Sequence, residues 1–580
     1  MVKEGQNGAA WMLIPVRRLT ILNKFANATK ATLYDVIDNA KDHLEAAKDQ
    51  EARSAGGWFT YRSSALLPVT KVLPIMIFSK GGTIDSEMHD SYDYFSSSCK
   101  PTPSAFVQAR DAIPIGTFEE VFHCFTNRTL HLPGEGYIRM ACDGSTIPFA
   151  CMNTYNNPDY FVSGASSKAE DEMDAKEQPQ KGEEKPASTG KSVAPPKKLS
   201  RQMRRAQERA KKKAEEKVKK AKAALENKKK REEEKKRKKK REIVGNVENG
   251  DEKDEAKAKV VKGRAHNEAH LNVLHLSDSG VILDAVIQPV HKKDERSAFL
   301  QMAENLVSGP NHLSQDELQR LILSADRGYE GFHVVVSLQE LGLHFLIRSK
   351  GPQVSSSMLY SLRRFLPSDP GEFDVDIDVT LVRKDSKKDE LYDANPDTYV
   401  KITTQNFPEC TKDHPVQFKI RVVRIDLDGK GNYEYLITNL PRDAFPMSSM
   451  KEEYFRRWPV ETSNRFLKLV SGLAFLHAKK VDAVIKEIWA KLIMHNFCQV
   501  IIYQAVLQYA KKEHGKGKKY LYQINRSYAT RITRKFARMR RFCEDLFFVI
   551  QQRTEPVRPG RQYARRKRPR YVRSFLYRVC

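Results

Sequence analysis

The sequence predicts a mixed α/β fold built on one sheet and interrupted by two insertions. Three observations predict it. Short apolar, β-favouring runs alternate with amphipathic helical segments in the order strand, strand, strand, helix, strand, helix, strand. Residues 165–265 carry no apolar stripe, so they have no face to bury. Residues 351–440 carry four more β-like runs between turns: DVDIDVTLV, TYVKITT, FKIRVVRIDL and YEYLITNL.

Residues 1–132 read as a mainly helical domain. TPSAFVQARDAI (102–113) opens on Thr/Pro/Ser cap chemistry and carries Phe106, Ala109 and Ile113 at helical spacing. TFEEVFHCF (117–125) follows the break at Pro114–Gly116. Two short helices across a tight turn suit either a helix-turn-helix that grips DNA or a bundle packed on the core, and the residues leave both open.

The core begins in 133–164, where GYIRMACD (136–143) is an apolar strand ending in Asp143. It resumes over 266–350. HLNVLHL (270–276) and VILDAVIQ (281–288) flank Ser-Asp-Ser-Gly, which is hairpin chemistry. A helix follows from about Asp294 to Leu306. LQRLILSAD (318–326) is a strand ending in Asp326, YEGFHVVVSLQELG (329–342) a helix, and LHFLIRS (343–349) the last strand. This order is that of an RNase H-like core, whose first strand is central with the fourth beside it. The ends of those two strands would bring Asp143 and Asp326 together. Residues 441–511 form core helices, and 512–580 a basic C-terminal region.

The length of 580 residues suggests three or four units. The net charge of +27 is concentrated. Residues 197–241 hold 24 Lys and Arg against 7 Asp and Glu, and residues 556–580 hold 9 with no acid. Such blocks favour a polyanionic partner, nucleic acid before membrane. In the tail, Arg interleaved with Tyr and Phe suits phosphate binding and base stacking, with a solvated tail as the alternative. Eight cysteines without a C-x-x-C pair, and no charged-then-apolar leader, suit a reduced intracellular protein without structural zinc. The most apolar helix, Ile485 to Ala510, carries Lys486, Glu487, Lys491, His495, Asn496 and Gln499, and so reads as a core helix rather than a membrane span. His266, His270 and His275 lie on a strand, where His270 and His275 face opposite sides, so they read as strand residues rather than metal ligands. Glu295 reads as an acid at a helix start.

The residues richest in chemistry are Tyr454, Arg457, Glu461 and Lys468, in YFRRWPVETSNRFLK. Pro459 suits the first turn of a new helix, which sets Glu461 near its N-terminus and Lys468 two turns later on the same face. The spacing Tyr-x2-Arg-x3-Glu-x6-Lys resembles the signature of cut-and-paste transposases of the DDE class, in the insertion-sequence family named after insertion sequence four. The resemblance covers residues 100–165 and 266–500. It implies a catalytic triad of Asp143, Asp326 and Glu461 that holds two divalent ions, Mg2+ with Mn2+ as substitute, roughly 3.5–4 Å apart for in-line phosphodiester displacement. It places Tyr454, Arg457 and Lys468 on the DNA end, with Arg327 and Tyr329 as further DNA contacts, and Trp458 packed under the site. A β-rich insertion before the glutamate is a mark of this family. Some members flip a base onto an aromatic of that insertion; here 351–440 holds no Trp, and Tyr392, Tyr399, Phe407, Tyr433 and Tyr435 are among the aromatics available. The implied partners are double-stranded DNA, both the element's own terminal inverted repeats and its target, and a second copy of the chain. The implied location is cytoplasmic, on the nucleoid. Two rivals stand beside it: a catalytically retired DNA-binding protein derived from a transposase, and an RNA-binding basic protein.

Overall fold

A large mixed sheet organises the protein, seen in a computed structural model that describes residues 23–53, 67–79, 82–91, 101–150, 157–162, 266–368, 371–383, 398–402, 407, 410, 414–427, 429, 431–513, 522–539 and 542–557. The expectations for the charged stretch 165–265 and for the basic tail beyond residue 557 lie outside the described residues. The core strands are β1 (Ile138–Phe149), β2 (Phe161–Val162), β3 (His266–Leu276), β4 (Ile282–Pro289), β5 (Leu321–Ala325) and β6 (His344–Ser349). The sheet runs β2-β3-β1-β5-β6, with β4 also on β3. β1 pairs antiparallel with β3 and parallel with β5, and β5 pairs parallel with β6. β1 thus lies between β3 and β5, and β5, the fourth strand foreseen from the sequence, lies beside it, consistent with an RNase H-like core. The β3–β4 hairpin turns through Gly280, whose φ of 75° is the left-handed conformation that a residue with a Cβ resists.

The strands of the 351–440 insertion continue the same sheet. They are β7 (Phe373–Arg383), β8 (Tyr399–Ile402), β9 (Val416–Asp426) and β10 (Tyr433–Thr438). β10 pairs antiparallel with β6, and the order beyond it is β9-β7-β8. The edge of β6 is thereby paired rather than left as an open template. Of the insertion's aromatics, Phe407 is buried and Tyr433 lies 3.9 Å beneath the Arg424 guanidinium, while Tyr392 is outside the described residues.

Fourteen α-helices lie among the described residues. They are α1 (Lys24–Arg53), α2 (Val69–Ile77), α3 (Ile84–Ser91), α4 (Pro103–Ala112), α5 (Ile115–Thr129), α6 (Glu295–Ser308), α7 (Gln315–Gln319), α8 (Phe332–Glu340), α9 (Met358–Leu362), α10 (Met447–Phe455), α11 (Pro459–Leu469), α12 (Val481–Glu513), α13 (Arg526–Arg538) and α14 (Leu546–Gln551). Alternation along β1 sorts them to two faces. Met140 and Cys142 enter one apolar core with α6 and α8. Ile147 and Phe149 enter the other, with α12 and the N-terminal helices α1, α2 and α5.

α12 is the axis of that second core. Six of its polar residues, Lys486, Glu487, Lys491, His495, Asn496 and Gln499, are buried. Five of them anchor neighbours. Lys486 donates to the carbonyls of Arg110 and Asp111, and Lys491 to that of Ser79. Glu487 accepts from the amides of His477 and Ala478. His495 bonds the Gly280 carbonyl at 2.9 Å, and Asn496 brackets the amide and carbonyl of Ile282. Buried polar groups persist only when satisfied, so these bonds explain their presence in an otherwise apolar helix. No helix among the described residues is long and apolar enough to cross a membrane.

Candidate active site

Asp143 lies inside β1, not at its end as the Asp-Gly pair suggested, because β3 continues to pair with β1 as far as Phe149. Pairing with β5, however, stops at Ala141↔Ser324. The side of β1 facing β5 is therefore open from Cys142 onward. Continuing the register two residues sets Asp143 opposite Asp326, the residue that follows β5. Parallel neighbours at matched positions point to the same face, so the two carboxylates share one face of the sheet.

Both carboxylates are held. Asn464 Nδ2 donates to Asp143 Oδ2 at 2.6 Å, and the Gly144 amide donates to Oδ1 at 3.0 Å. Asp326 Oδ1 accepts from the Gly328 amide at 2.8 Å, which forms the Asp-Arg-Gly-Tyr turn. Burial pushes the Asp143 carboxyl up to about 6, and the charge of Asp326 adds to the rise; Asn464, Arg457 and the Gly144 amide pull it down. A half-buried carboxylate beside a second one is a site where a cation relieves the electrostatic cost.

Glu461 is the third residue of α11, with Pro459 at the first helical position as its fixed φ allows. Its backbone is placed, while its side chain lies outside the described residues. Two contacts seat this segment on β1. Arg139 makes a two-pronged ion pair with Glu453 of α10, with Nη2 to Oε2 at 3.0 Å. Asn464, three residues after Glu461, holds Asp143. Arg139 and Asp143 are four apart on β1 and share a face, so α10 and α11 lie along one row of side chains. Ser463 adds a contact of 3.3 Å to His275, which is buried beside His495. Burial lowers His275 to about 3 and His495 to about 4, so both are neutral packing groups.

Around the carboxylates lies a cationic rim. Arg457 follows α10 in the turn before α11 and is 4% exposed. Its Nε donates to Tyr454 Oη at 3.1 Å, and burial keeps that phenol protonated by raising its pKa. Arg348 of β6 pairs with Glu434 of β10, and Arg327 Nη2 stands 3.8 Å from the same carboxylate. Arg327 is half exposed beside Asp326. Lys468 lies toward Glu268, whose carboxyl is held down first by its bond from His266 and also by Lys293 and Lys468. Glu268 pairs with Pro148, five residues along β1 from Asp143 and so roughly 16 Å away. The structure thus gathers Asp143, Asp326, Tyr454, Arg457 and Arg327, with Lys468 further out on the same helix as Glu461.

Two placements correct the sequence expectations. Tyr329 is 1% exposed, its ring 5.5 Å from Phe299, so it packs beneath the site instead of reaching DNA. Trp458 is 51% exposed rather than packed under the site. The Tyr329 placement depends on Phe299, a contact distant in sequence.

Two residues that the sequence did not assign to the site also lie at it. Asn464 is one; only its distance of three from Glu461 on a helix could have marked it. Glu295 is the other. It is the first residue of α6, as its reading at a helix start had it, but its Oε1 also lies 3.0 Å from His270 Nε2. A Cβ at Gly328 would sit 3.1 Å from both Glu295 Oε2 and Asp326 Oδ1. A Cβ at Gly144 would sit 2.6 Å from His270 Nε2. Gly144, directly after Asp143, and Gly328, two residues after Asp326, therefore let the Glu295–His270 pair press against the site from the opposite face.

Among the described residues no cluster of three His, Cys, Asp or Glu is arranged to hold a metal ion. Asp143 and Asp326 nevertheless offer hard oxygen donors, and these fit a divalent cation of the magnesium type. No curated protein matches the chain. Residues 230–497 match the family model of the transposase DDE domain, a stretch that takes in Asp326 and Glu461 and supports reading this chain as a DDE transposase.

Proposed function

We propose that this chain is a cut-and-paste DNA transposase of the insertion-sequence-four type, working as a homodimer on the terminal inverted repeats of its own element. The observation that carries the proposal is the meeting of Asp143 with Asp326 beneath the helix of Glu461, which Asn464 ties to Asp143. Asp143, Asp326 and Glu461 would hold the divalent cations. When bound, such ions activate water and stabilise a leaving oxygen in phosphodiester displacement.

The chain's own residues do the rest. Arg457 and Arg327 offset the negative charge of a phosphate brought next to two carboxylates. Tyr454, held by Arg457, presents a fixed hydroxyl as a donor. Lys468 takes a phosphate further along the DNA end. Water displaces the flank from one strand and leaves a 3′-hydroxyl on the element's end. That hydroxyl attacks the phosphodiester of the opposite strand, which closes a hairpin and releases the flank with its own 3′-hydroxyl. A second water reopens the hairpin, and the regenerated 3′-hydroxyl attacks a target phosphodiester, displacing a target 3′-hydroxyl. Helices α4 and α5 remain the candidates for recognition of the DNA ends.

Asn464→Ala should raise the Asp143 pKa, since it removes a donor to the ionised form. The metal concentration for half-maximal cutting should rise about 10–100-fold, and the acid limb of the pH profile should move upward. An unmoved profile with unchanged metal demand would assign Asn464 to packing alone.

The test of the function is a linear DNA carrying this gene with its native flanks, incubated with wild-type protein and Mg2+ or Mn2+. The expected result is a discrete cut at each flank. Protected flanks with no cut in either ion would favour a retired DNA-binding protein.

A further inference from the structure

α13 carries the sequence RSYATRITRKFAR and has no acid. Ala529, Thr530, Thr533, Phe536 and Ala537 are buried. Ser527, Arg531, Arg534, Lys535 and Arg538 recur at steps of four, three, one and three, and so form one helical face. That face borders a groove of about 730 Å³, completed by Thr530, by Met539 and by Val470 at the end of α11. Four of its lining residues are cationic, two are hydroxyl-bearing, and none is a carboxylate.

The groove is built, not accidental. Arg534 donates to the carbonyl of Val470 at 3.3 Å and to that of Ser79, which fastens α13 to the end of α11. Burial lowers the Arg534 pKa and Arg538 adds to this, while Cys498 and Glu87 oppose it. Glu87, from α3, lies 3.5 Å from Arg538 and offsets part of the charge from beneath. Arg531 and Lys535 are exposed.

Its position gives it a use. Val470 is nine residues beyond Glu461, about 13–14 Å along a helix axis. That is the rise of about four base pairs. The groove stands at the C-terminal end of α11, two residues past Lys468 and on the side of the helix turned away from Glu461, so a duplex engaged at Asp143 and Asp326 would reach it around that end.

We propose that the α13 groove binds the phosphate backbone of duplex DNA a few base pairs from the cleavage site. The proposal rests on the transposase reading for its choice of DNA. Phosphate contacts position a duplex without reading its sequence, so the groove would fix the reach of the DNA into the active site and not the identity of its ends.

The experiment measures binding of the full chain to a 30-base-pair duplex of arbitrary sequence by anisotropy over a range of KCl. Three proteins are compared: wild type, Arg531→Gln with Lys535→Gln, and the charge-preserving pair Arg531→Lys with Lys535→Arg. Two lost phosphate contacts should reduce the slope of log K against log salt by about 1.8 in the glutamine pair, and the charge-preserving pair should keep the wild-type slope. Matched melting temperatures confirm that both variants fold. An unchanged slope in the glutamine pair would overturn the proposal, as would a larger slope change on a single-stranded RNA of equal length, which would assign the groove to RNA. Flank cutting by wild type separates the two claims. Cutting with an unchanged slope sinks the groove alone, whereas a changed slope without cutting keeps the groove and sinks the transposase reading.

Discussion

Asp143→Asn is expected to abolish cleavage and, in metal-free buffer at pH 7.5, to make the protein harder to unfold. The two effects share one cause. Folding takes the Asp143 carboxyl from its ordinary 3.8 to about 6, first through burial. A raised carboxyl pKa means that the folded state favours the protonated form. The resulting stability is fully present below pH 3.8 and is lost as pH rises through 6. Above that the folded chain carries an ionised carboxylate at a cost of up to about 3 kcal/mol. Asparagine carries no charge, keeps the shape, and still accepts from Asn464 through its carbonyl. Denaturant unfolding at pH 4 and pH 7.5 should show a gain for the variant only at the higher pH. Divalent cation should stabilise wild type and leave the variant unmoved. A variant less stable at both pH values, or one that still cuts, would contradict the electrostatic account.

Glu461→Gln should reduce strand cutting at least about a thousandfold, the scale of several kcal/mol of lost transition-state stabilisation. Binding to DNA ends should stay within about twofold, because the substitution adds no bulk and leaves Tyr454, Arg457 and Lys468 in place. Anisotropy on a flank duplex and a single-turnover cleavage assay check the two halves separately. Loss of binding with an intact fold would show that Glu461 supports the DNA-binding surface rather than the chemistry.

Much of this arrangement was legible in the sequence because it is local. The strand and helix order follows from periodicity, and the topology it implied places β5 beside β1. Six polar residues of α12, from Lys486 to Gln499, distinguished a core helix from a membrane span, and all six are buried. Pro459 marked where α11 starts.

What escaped local reading depends on partners far along the chain. Asp143 looked like the end of a strand because Asp-Gly favours a turn. β1 continues past it only because β3, more than a hundred residues later, supplies a partner through Phe149. Tyr329 looked available in its turn, but Phe299 covers its ring. Glu295 looked like a helix-start acid, and its place near Asp326 needs both His270 and the glycine at 328. The α13 groove needed the end of α11 as its second wall.

The central claim is that these carboxylates hold divalent cations for strand cutting, and Asp326→Cys tests it most directly. A thiolate is a softer ligand than a carboxylate and favours manganese over magnesium. Cleavage of the flank-bearing DNA should be lost in Mg2+ and partly restored in Mn2+, with wild type active in both. Wild-type activity of the cysteine variant in Mg2+, or equal loss in both ions, would contradict a role for Asp326 as a metal ligand.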